Sequence, residues 1–412
     1  MIKILKNRNG TSTVFLMLII SSLVLLVFTF FRLTLGICGI GYSDGVLNLA
    51  GRSVLSEFNL NLKDDYGIFA FAGFEHDISE KLYKYAITSF KSKKYWKLGK
   101  LSSDTQGYRL GDTEVFENEI EDYSKYAFAR GLFKDFSQLK HDQSVKPLED
   151  LNKGRTLRNT VIINSLPSEG RRDNVSLPKN IEALKTGIKG LFSKSEKKYF
   201  VNRYILNKFK NRQNQSTGLD TFFKYEIEYI LFGKKSDKKN ALATRKILIG
   251  TRNLFNLAYI WSNPSMRKKV LGISEMLTPG PQSALTAIAV AEAWAFAESK
   301  NDMRILEKGG RVPLTKSRRS WAISAKNIPG ILKHKKTKYT KTSNKDGLLY
   351  QQYLQILLLF EESQIKYQRM MDLMQINIQG KYDRDFLIKE HNAGFLFDAE
   401  VGGKQYEYEE KY

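Results

Sequence analysis

The sequence contains little cysteine, proline or acidic residue, and these shortages exclude several protein classes. Cys38 is the one cysteine in 412 residues. A disulfide within the chain is therefore impossible, which excludes a small secreted scaffold held by disulfides. The 8 prolines and the lack of low-complexity runs indicate a chain that folds around cores. Acidic residues number 43 against 66 basic ones, so the formal net charge is +23.

Residues typical of catalytic and metal sites are also scarce. The sequence has no zinc-binding His-Glu-x-x-His, no nucleophile elbow and no glycine-rich nucleotide loop. Glu226 and Glu228 are two residues apart, which places them on different faces of a helix and makes them a poor catalytic pair. We therefore predict no enzyme, no cofactor and no metal, although a carboxylate site built from distant segments stays open. The four histidines are scattered: His76, His141, His334 and His391.

One long apolar run near the N-terminus predicts a membrane-spanning helix. Residues 14–31 carry no charge. A helix over residues 11–35 would be about 37 Å long at about 1.5 Å per residue, which exceeds the bilayer core of about 30 Å. Two alternatives are a cleaved signal peptide, with a weak cleavage site near Cys38, and a buried core helix.

Basic residues before the apolar run predict its orientation. Lys3, Lys6 and Arg8 precede it, and Arg32 is the next basic residue. Positive flanks stay in the cytoplasm. We expect a single-pass protein of the cell membrane with a cytoplasmic N-terminus and a large extracellular C-terminal domain.

The chain divides into five predicted regions with an α+β, helix-rich fold. The spanning helix continues into the outer domain, because apolar residues recur at helical spacing to Phe58, with a flexible or kinked glycine junction at residues 36–45. Alternating residues near the C-terminus predict strands of a small antiparallel sheet. The regions are a basic stub at 1–10, the transmembrane helix at 11–35, a membrane-proximal α+β region at 36–145, a basic linker or loop region at 146–195, and a helical region with C-terminal strands at 196–412.

Two helical segments of the last region have further predicted roles. The alanine-rich stretch at 284–297 predicts an internal helix in which Glu292 is buried and paired with Arg252 or Arg304. Residues 347–378 predict one long helix whose apolar positions step by four and three. That pattern fits a packing face within the chain, or a coiled-coil seam for oligomerisation.

Basic loops provide candidate contacts to a polyanion such as a cell-wall polymer or a nucleic acid. A solvated basic surface is the alternative interpretation. The candidate residues are Lys153, Arg155, Arg158, Arg171, Arg172, Lys316, Arg318 and Arg319.

Several motifs resemble an uncharacterised group of Gram-positive membrane proteins associated with the Tad/Flp pilus, which are TadE/TadG-like, or pseudopilin-like, at the N-terminus. The motifs are GTSTVFL at 10–16, SVLSEF at 53–58, DYGIFA at 65–70, YEIEYILFGKKSD at 225–237, AWAFAE at 293–298, VPL at 312–314 and RMMDL at 369–373.

The resemblance implies pilins or pilus assembly proteins as partners. It also implies a processing site between Gly10 and Thr11. Pilin-like segments place a glutamate early in the apolar run, whereas Val14 is followed by Phe15 here, so processing and a retained anchor both stay open. We expect a structural or assembly component of a Tad/Flp-type pilus or secretion apparatus. The alternatives are a membrane-tethered polyanion-binding protein and an enzyme with an unrecognised acid or base in a cleft.

Overall fold

The computed structural model describes residues 9–93, 96–133, 146–158, 165–169, 197–215, 219–342 and 347–412. They form the predicted α+β fold, rich in helices, with small antiparallel sheets. The helices are α1 Asn9–Leu55, α2 Glu75–Phe90, α3 Thr113–Ala129, α4 Lys197–Lys208, α5 Glu226–Phe232, α6 Asp237–Ser262, α7 Pro264–Leu277, α8 Ser283–Glu307, α9 Ile328–Leu332, α10 Tyr350–Phe360 and α11 Ser363–Lys381. The strands are β1 Phe71–Ala72, β2 Leu98–Asp104, β3 His391–Asn392, β4 Gly394–Val401 and β5 Lys404–Lys411. A π-helical turn spans Leu62–Tyr66, and 3₁₀ turns span Leu151–Lys153, Ala325–Asn327 and Ile388–Glu390.

The described residues group into two compact units that do not follow chain order. Unit 1 takes the described parts of Met1–Phe58, Ala70–Arg109 and Asn392–Tyr412, and unit 2 those of Asn59–Phe69 and Leu110–His391. This division differs from the five contiguous regions predicted above, because the last strands of the chain join the unit that contains the first helix.

In unit 1, α1 is a single continuous helix with two different environments. Residues 14–31 leave their side chains exposed, and the helix is long and apolar enough to span a membrane. Nearer the C-terminal end, Leu47, Ala50 and Val54 are buried. The predicted glycine junction does not interrupt the helix.

The rest of unit 1 packs on the C-terminal half of α1. Strand β4 lies between β2 and β5, and both pairings are antiparallel. Alternate residues of β4 face a core that includes Phe395 and Phe397, together with Val54 of α1 and Leu82 of α2. The side-chain period of two in a strand therefore gives β4 one buried face.

In unit 2, helices α6 to α9 surround a second apolar core. Ile260 of α6, Val270 of α7 and Trp294 of α8 belong to it. Asn263 ends α6 and caps α7, since its side chain accepts a hydrogen bond from the Met266 backbone and Pro264 follows it at the first helical position.

The prediction of one long helix over 347–378 is wrong. Glu361 adopts an extended conformation that ends α10, and α11 starts at Ser363, the place skipped in the apolar pattern. Most apolar positions of both helices are buried within unit 2, including Tyr353 and Met371, whereas Phe360 at the end of α10 is half-buried. The pattern therefore accounts for packing within the chain, which is one of the two roles predicted for it.

Candidate functional site

Unit 2 contains a cleft of about 780 Å³ at the C-terminal end of α11. Its lining combines apolar side chains with charges of both signs. The residues are Leu157, Ser165, Phe222, Ile376, Gln379, Gly380, Arg384, Asp385, Leu387 and Glu390. This composition suits a ligand with an apolar part and a polar or charged end.

Three amide side chains on α11 form hydrogen bonds to the backbone of segments around the cleft. Gln375 Nε2 donates to the Ser165 carbonyl oxygen at 3.3 Å, and its Oε1 accepts from the Ile388 backbone at 3.2 Å. Asn377 Oδ1 accepts from the Phe222 backbone at 2.8 Å. Gln379 Nε2 donates to the Phe386 carbonyl oxygen at 2.8 Å. One helix therefore positions chain segments that are far apart in sequence.

Asn377 also connects the cleft wall to a buried acid. Its Nδ2 donates to Glu226 Oε1 and to the Tyr66 hydroxyl, both at 2.9 Å. Glu226 Oε2 accepts from the Lys210 backbone at 2.8 Å. Burial raises the pKa of the Glu226 carboxyl to about 7, because removal from water penalises its charged form.

Glu228 enters a separate network, as its spacing from Glu226 predicts. Glu228 Oε1 accepts from the Tyr350 hydroxyl at 2.8 Å and from the Arg212 backbone at 3.1 Å, whereas Oε2 is buried with no hydrogen-bond partner among the described residues. Burial raises the pKa of Glu228 to about 7.

Asp372, one turn before Gln375 on α11, forms hydrogen bonds to the loop at 165–169. Its Oδ1 accepts from the Ser168 backbone at 2.9 Å, and its Oδ2 accepts from the Ser168 hydroxyl at 2.5 Å and from the Tyr229 hydroxyl at 2.9 Å. Burial raises the pKa of Asp372 to about 6. None of these three acids has appreciable exposed surface, and none lines the cleft, so their observed role is to join segments of the fold.

The prediction that Glu292 is the buried acid of the alanine-rich helix is wrong. Glu292 is exposed, and Asn253 donates a hydrogen bond to it at 2.5 Å. The buried acids of α8 are Glu298 and Asp302. Glu298 follows buried Trp294 by four residues and therefore shares its face, a spacing that the sequence displays.

These two acids form a closed charge cluster with two basic residues. Arg252 Nε lies 3.1 Å from Asp302 Oδ2, and Lys316 Nζ lies 2.7 Å from Glu298 Oε1 and 2.5 Å from Asp302 Oδ1. All four side chains are fully buried. The cluster balances two positive and two negative charges, which a buried location requires.

The position of Lys316 removes it from the predicted polyanion contacts. Its ammonium group is buried between carboxylates, so it cannot reach a polymer in solution. Arg318 and Arg319, two and three residues later, are exposed.

The other predicted polyanion contacts are either exposed or lie outside the residues that the structure describes. Lys153, Arg155 and Arg158 are exposed, and Leu157 between the two arginines lines the cleft. Arg155 also has structural contacts, since its backbone N–H donates to Asp237 Oδ2 at 2.7 Å. Arg171 and Arg172 lie outside the described residues.

The predicted processing site lies at the start of α1. The helix begins at Asn9, so Gly10 and Thr11 belong to its first turn.

Within the described part of the chain, no group of three or more His, Cys, Asp or Glu side chains is arranged to hold a metal ion. His391 is buried, and its Nδ1 lies 2.9 Å from the Leu387 carbonyl oxygen. His76 forms an exposed pair with Glu80.

A family model matches residues 132–403, about two thirds of the chain, and its description is a family of unknown function, DUF5702. No curated protein and no solved structure matches the chain. The matched region begins after α1 and α3 and covers most of unit 2.

Proposed function

The chain belongs to the family of unknown function DUF5702, and we propose that it is a membrane-anchored structural or assembly component of a Tad/Flp-type pilus or related secretion apparatus. In this proposal α1 holds the protein in the membrane, and the outer part offers surfaces to pilins or assembly proteins.

The observation that carries the proposal is the change of environment along α1. Leu25 is 67% exposed, in the half where the described side chains of residues 12–38 are all exposed, whereas Leu47 and Val54 are fully buried in the core of unit 1. A bare apolar surface of this length is costly in water. A bilayer would cover it, and the packed half would then couple the anchor to unit 1.

The direction of the anchor follows from Lys3, Lys6 and Arg8. Basic residues next to a first spanning helix stay in the cytoplasm. Unit 2, and the part of unit 1 that follows the spanning half of α1, would therefore lie outside the cell.

The link to a pilus rests on the N-terminal resemblance. The motifs at 10–16, 53–58 and 65–70 precede the region that the family model matches. The pilus-related part would thus be the anchor and its continuation, and the family region would be the outer body.

The anchor is tested by comparing the membrane retention of variants at exposed leucines in the two halves of α1. The double variant Leu18→Arg and Leu25→Arg puts two charges into the bare half, at a cost of about 5–7 kcal/mol for insertion. Leu49 is 66% exposed in the packed half, so Leu49→Arg is the matched control. We expect the double variant to leave the membrane fraction after carbonate extraction and the control to remain. Equal retention of both proteins would contradict the anchor.

The pilus role is tested in the native organism by deleting the gene, restoring it with either variant, and measuring pilin in the sheared surface fraction. Surface pilin should fall on deletion and return with Leu49→Arg but not with the double variant. Unchanged surface pilin in the deletion strain would overturn the proposal.

The N-terminus of the mature protein, determined from the native membrane, distinguishes a filament subunit from an assembly factor. A chain that starts at Thr11 would indicate a processed filament subunit. A chain that retains Met1 would indicate a permanently anchored assembly factor.

A second function is favoured by the basic side chains near the cleft. Leu157 and Arg384 line the cleft, and the exposed residues Arg155 and Arg158 lie on either side of Leu157 in the sequence. A membrane-tethered polyanion-binding protein would lose affinity for DNA or teichoic acid steeply with added salt, with a slope near −0.9 per DNA phosphate contacted. Neutralising Arg155, Arg158 and Arg384 to Gln should flatten that slope, whereas a slope that does not change would remove this candidate.

A further inference from the structure

Helices α7 and α8 form a hairpin in unit 2 whose end is apolar on its outer side. The turn between them is Thr278–Gln282, and the Ser283 backbone donates to the Gly280 carbonyl oxygen at 2.9 Å within it. On the inner side, Val270 and Val290 are buried in the core.

The outer side exposes large apolar residues next to the turn. Met276 is 81% exposed, Leu285 is 74% exposed and Ile288 is 60% exposed. Leu271 and Leu277 are also exposed. These side chains belong to two adjacent helices and lie on both sides of one turn, so this end of the hairpin exposes several large apolar residues close to one another in sequence, as interaction surfaces do.

Basic residues lie on the same hairpin at a defined distance from this end. Arg267, Lys268 and Lys269 are consecutive and exposed on α7. They precede Met276 by seven to nine residues, which is about 10–14 Å along a helix. The acid nearest the turn, Glu275, accepts a hydrogen bond from the Gly280 backbone at 3.1 Å.

We propose that the end of this hairpin inserts into the surface of a membrane with anionic lipids. An interfacial helix buries its apolar face about 5–10 Å into the headgroup and acyl boundary. With Met276 and Leu285 at that depth, the basic residues would reach the lipid phosphates, because long basic side chains extend toward the interface.

Charge complementarity favours lipid over a protein partner. Each basic residue near an anionic membrane surface strengthens binding by about fivefold. The basic residues lie along α7 away from the turn, which matches a headgroup layer above an apolar layer. The inference rests on the proposed anchoring by α1, which would keep the bilayer within reach.

The test uses the full chain in lipid vesicles with a thiol label whose fluorescence is quenched by lipids brominated on the acyl chains. Cys38→Ser removes the native thiol, and Met276→Cys places the label at the end of the hairpin. Leu242→Cys on α6 is the matched control, since Leu242 is an exposed apolar residue in the same unit. Leu25→Cys reports on α1 separately.

In vesicles of equal parts phosphatidylglycerol and phosphatidylcholine, the label at position 276 should be quenched at least about twofold more than the label at position 242. Equal quenching at the two positions would overturn the inference. Quenching at position 25 without quenching at 276 would overturn the inference and leave the anchor intact. Quenching at 276 without quenching at 25 would support the hairpin and contradict the anchor.

A charge variant tests the lipid specificity. The triple variant Arg267→Gln, Lys268→Gln and Lys269→Gln should lower quenching at position 276 in anionic vesicles to the level seen with phosphatidylcholine alone. Unchanged quenching in the triple variant, or equal quenching of the parent in both lipids, would contradict the role of anionic headgroups.

Discussion

Lys316 Nζ and Asp302 Oδ1 lie 2.5 Å apart, and both side chains are fully buried. Arg252 and Glu298 complete the cluster around them. Glu298 also accepts hydrogen bonds from the backbones of Ala322 and Ile323. The cluster therefore joins α6 and α8 to the chain that follows α8.

Removing the lysine should destabilise unit 2 strongly. Lys316→Ala leaves two buried carboxylates with one positive partner, and breaking a buried pair in this way costs about 3–5 kcal/mol. The measurement is chemical unfolding in detergent solution. Arg318→Ala is the control, and because Arg318 is exposed we expect a change within about 0.5 kcal/mol. Equal losses for the two variants would contradict the buried cluster.

The buried acid Glu228 predicts a pH dependence of stability. Its folded pKa is raised from 4.5 to about 7. Below pH 4.5 both folded and unfolded states hold the proton, so there is no penalty. As the pH rises to 7, the unfolded state loses the proton first, and stability falls.

Glu228→Gln isolates this effect. The amide oxygen can keep both hydrogen bonds of Oε1, from Arg212 and Tyr350, while the charge is lost. We expect little difference from the parent at pH 4.5 and a gain of up to about 3 kcal/mol at pH 8. Unfolding curves measured between these pH values give the result. Glu292→Gln, at an exposed acid, provides the baseline, and a Glu228→Gln difference that does not grow with pH would contradict a raised pKa.

Asp372 should control the local stability of the loop at 165–169. Asp372→Ala removes the acceptor of the Ser168 backbone N–H and hydroxyl. Loss of these hydrogen bonds to a charged group should speed amide exchange in this loop by about 10- to 100-fold. Hydrogen exchange with mass spectrometry measures it. Glu292→Ala, at an exposed acid outside the cleft, should leave the exchange of the loop unchanged.

Two glycines of α1 should respond in opposite ways to alanine. A Cβ at Gly39 would lie 2.3 Å from the Trp96 ring, whereas a Cβ at Gly41 would meet no described residue within 4 Å. Gly39→Ala should therefore cost about 1–3 kcal/mol through overpacking. Gly41→Ala should stabilise by up to about 1 kcal/mol, because alanine favours helix. Melting temperatures compare them, and a stabilised Gly39→Ala would contradict the contact with Trp96.

The sequence by itself predicts features whose cause is local. The apolar run of α1, the break at Pro264 and the alternation in β4 each follow from neighbouring residues. In the sequence, the end of α10 at Glu361 shows only as a skipped apolar position at Ser363. The ion pair of Glu361 with Arg369 at 2.8 Å forms between α10 and α11 and cannot be read from the local pattern.

The tertiary structure decided which polar residues are buried and what they contact. Asp302 pairs with Arg252, 50 residues away in the sequence. The side chain of Lys316 is buried, whereas that of Arg318 is exposed to solvent. No local pattern marks Lys316 among the basic residues around it. A buried charge is tolerated only where distant segments bring its partners together, and those distances exist only in the folded chain.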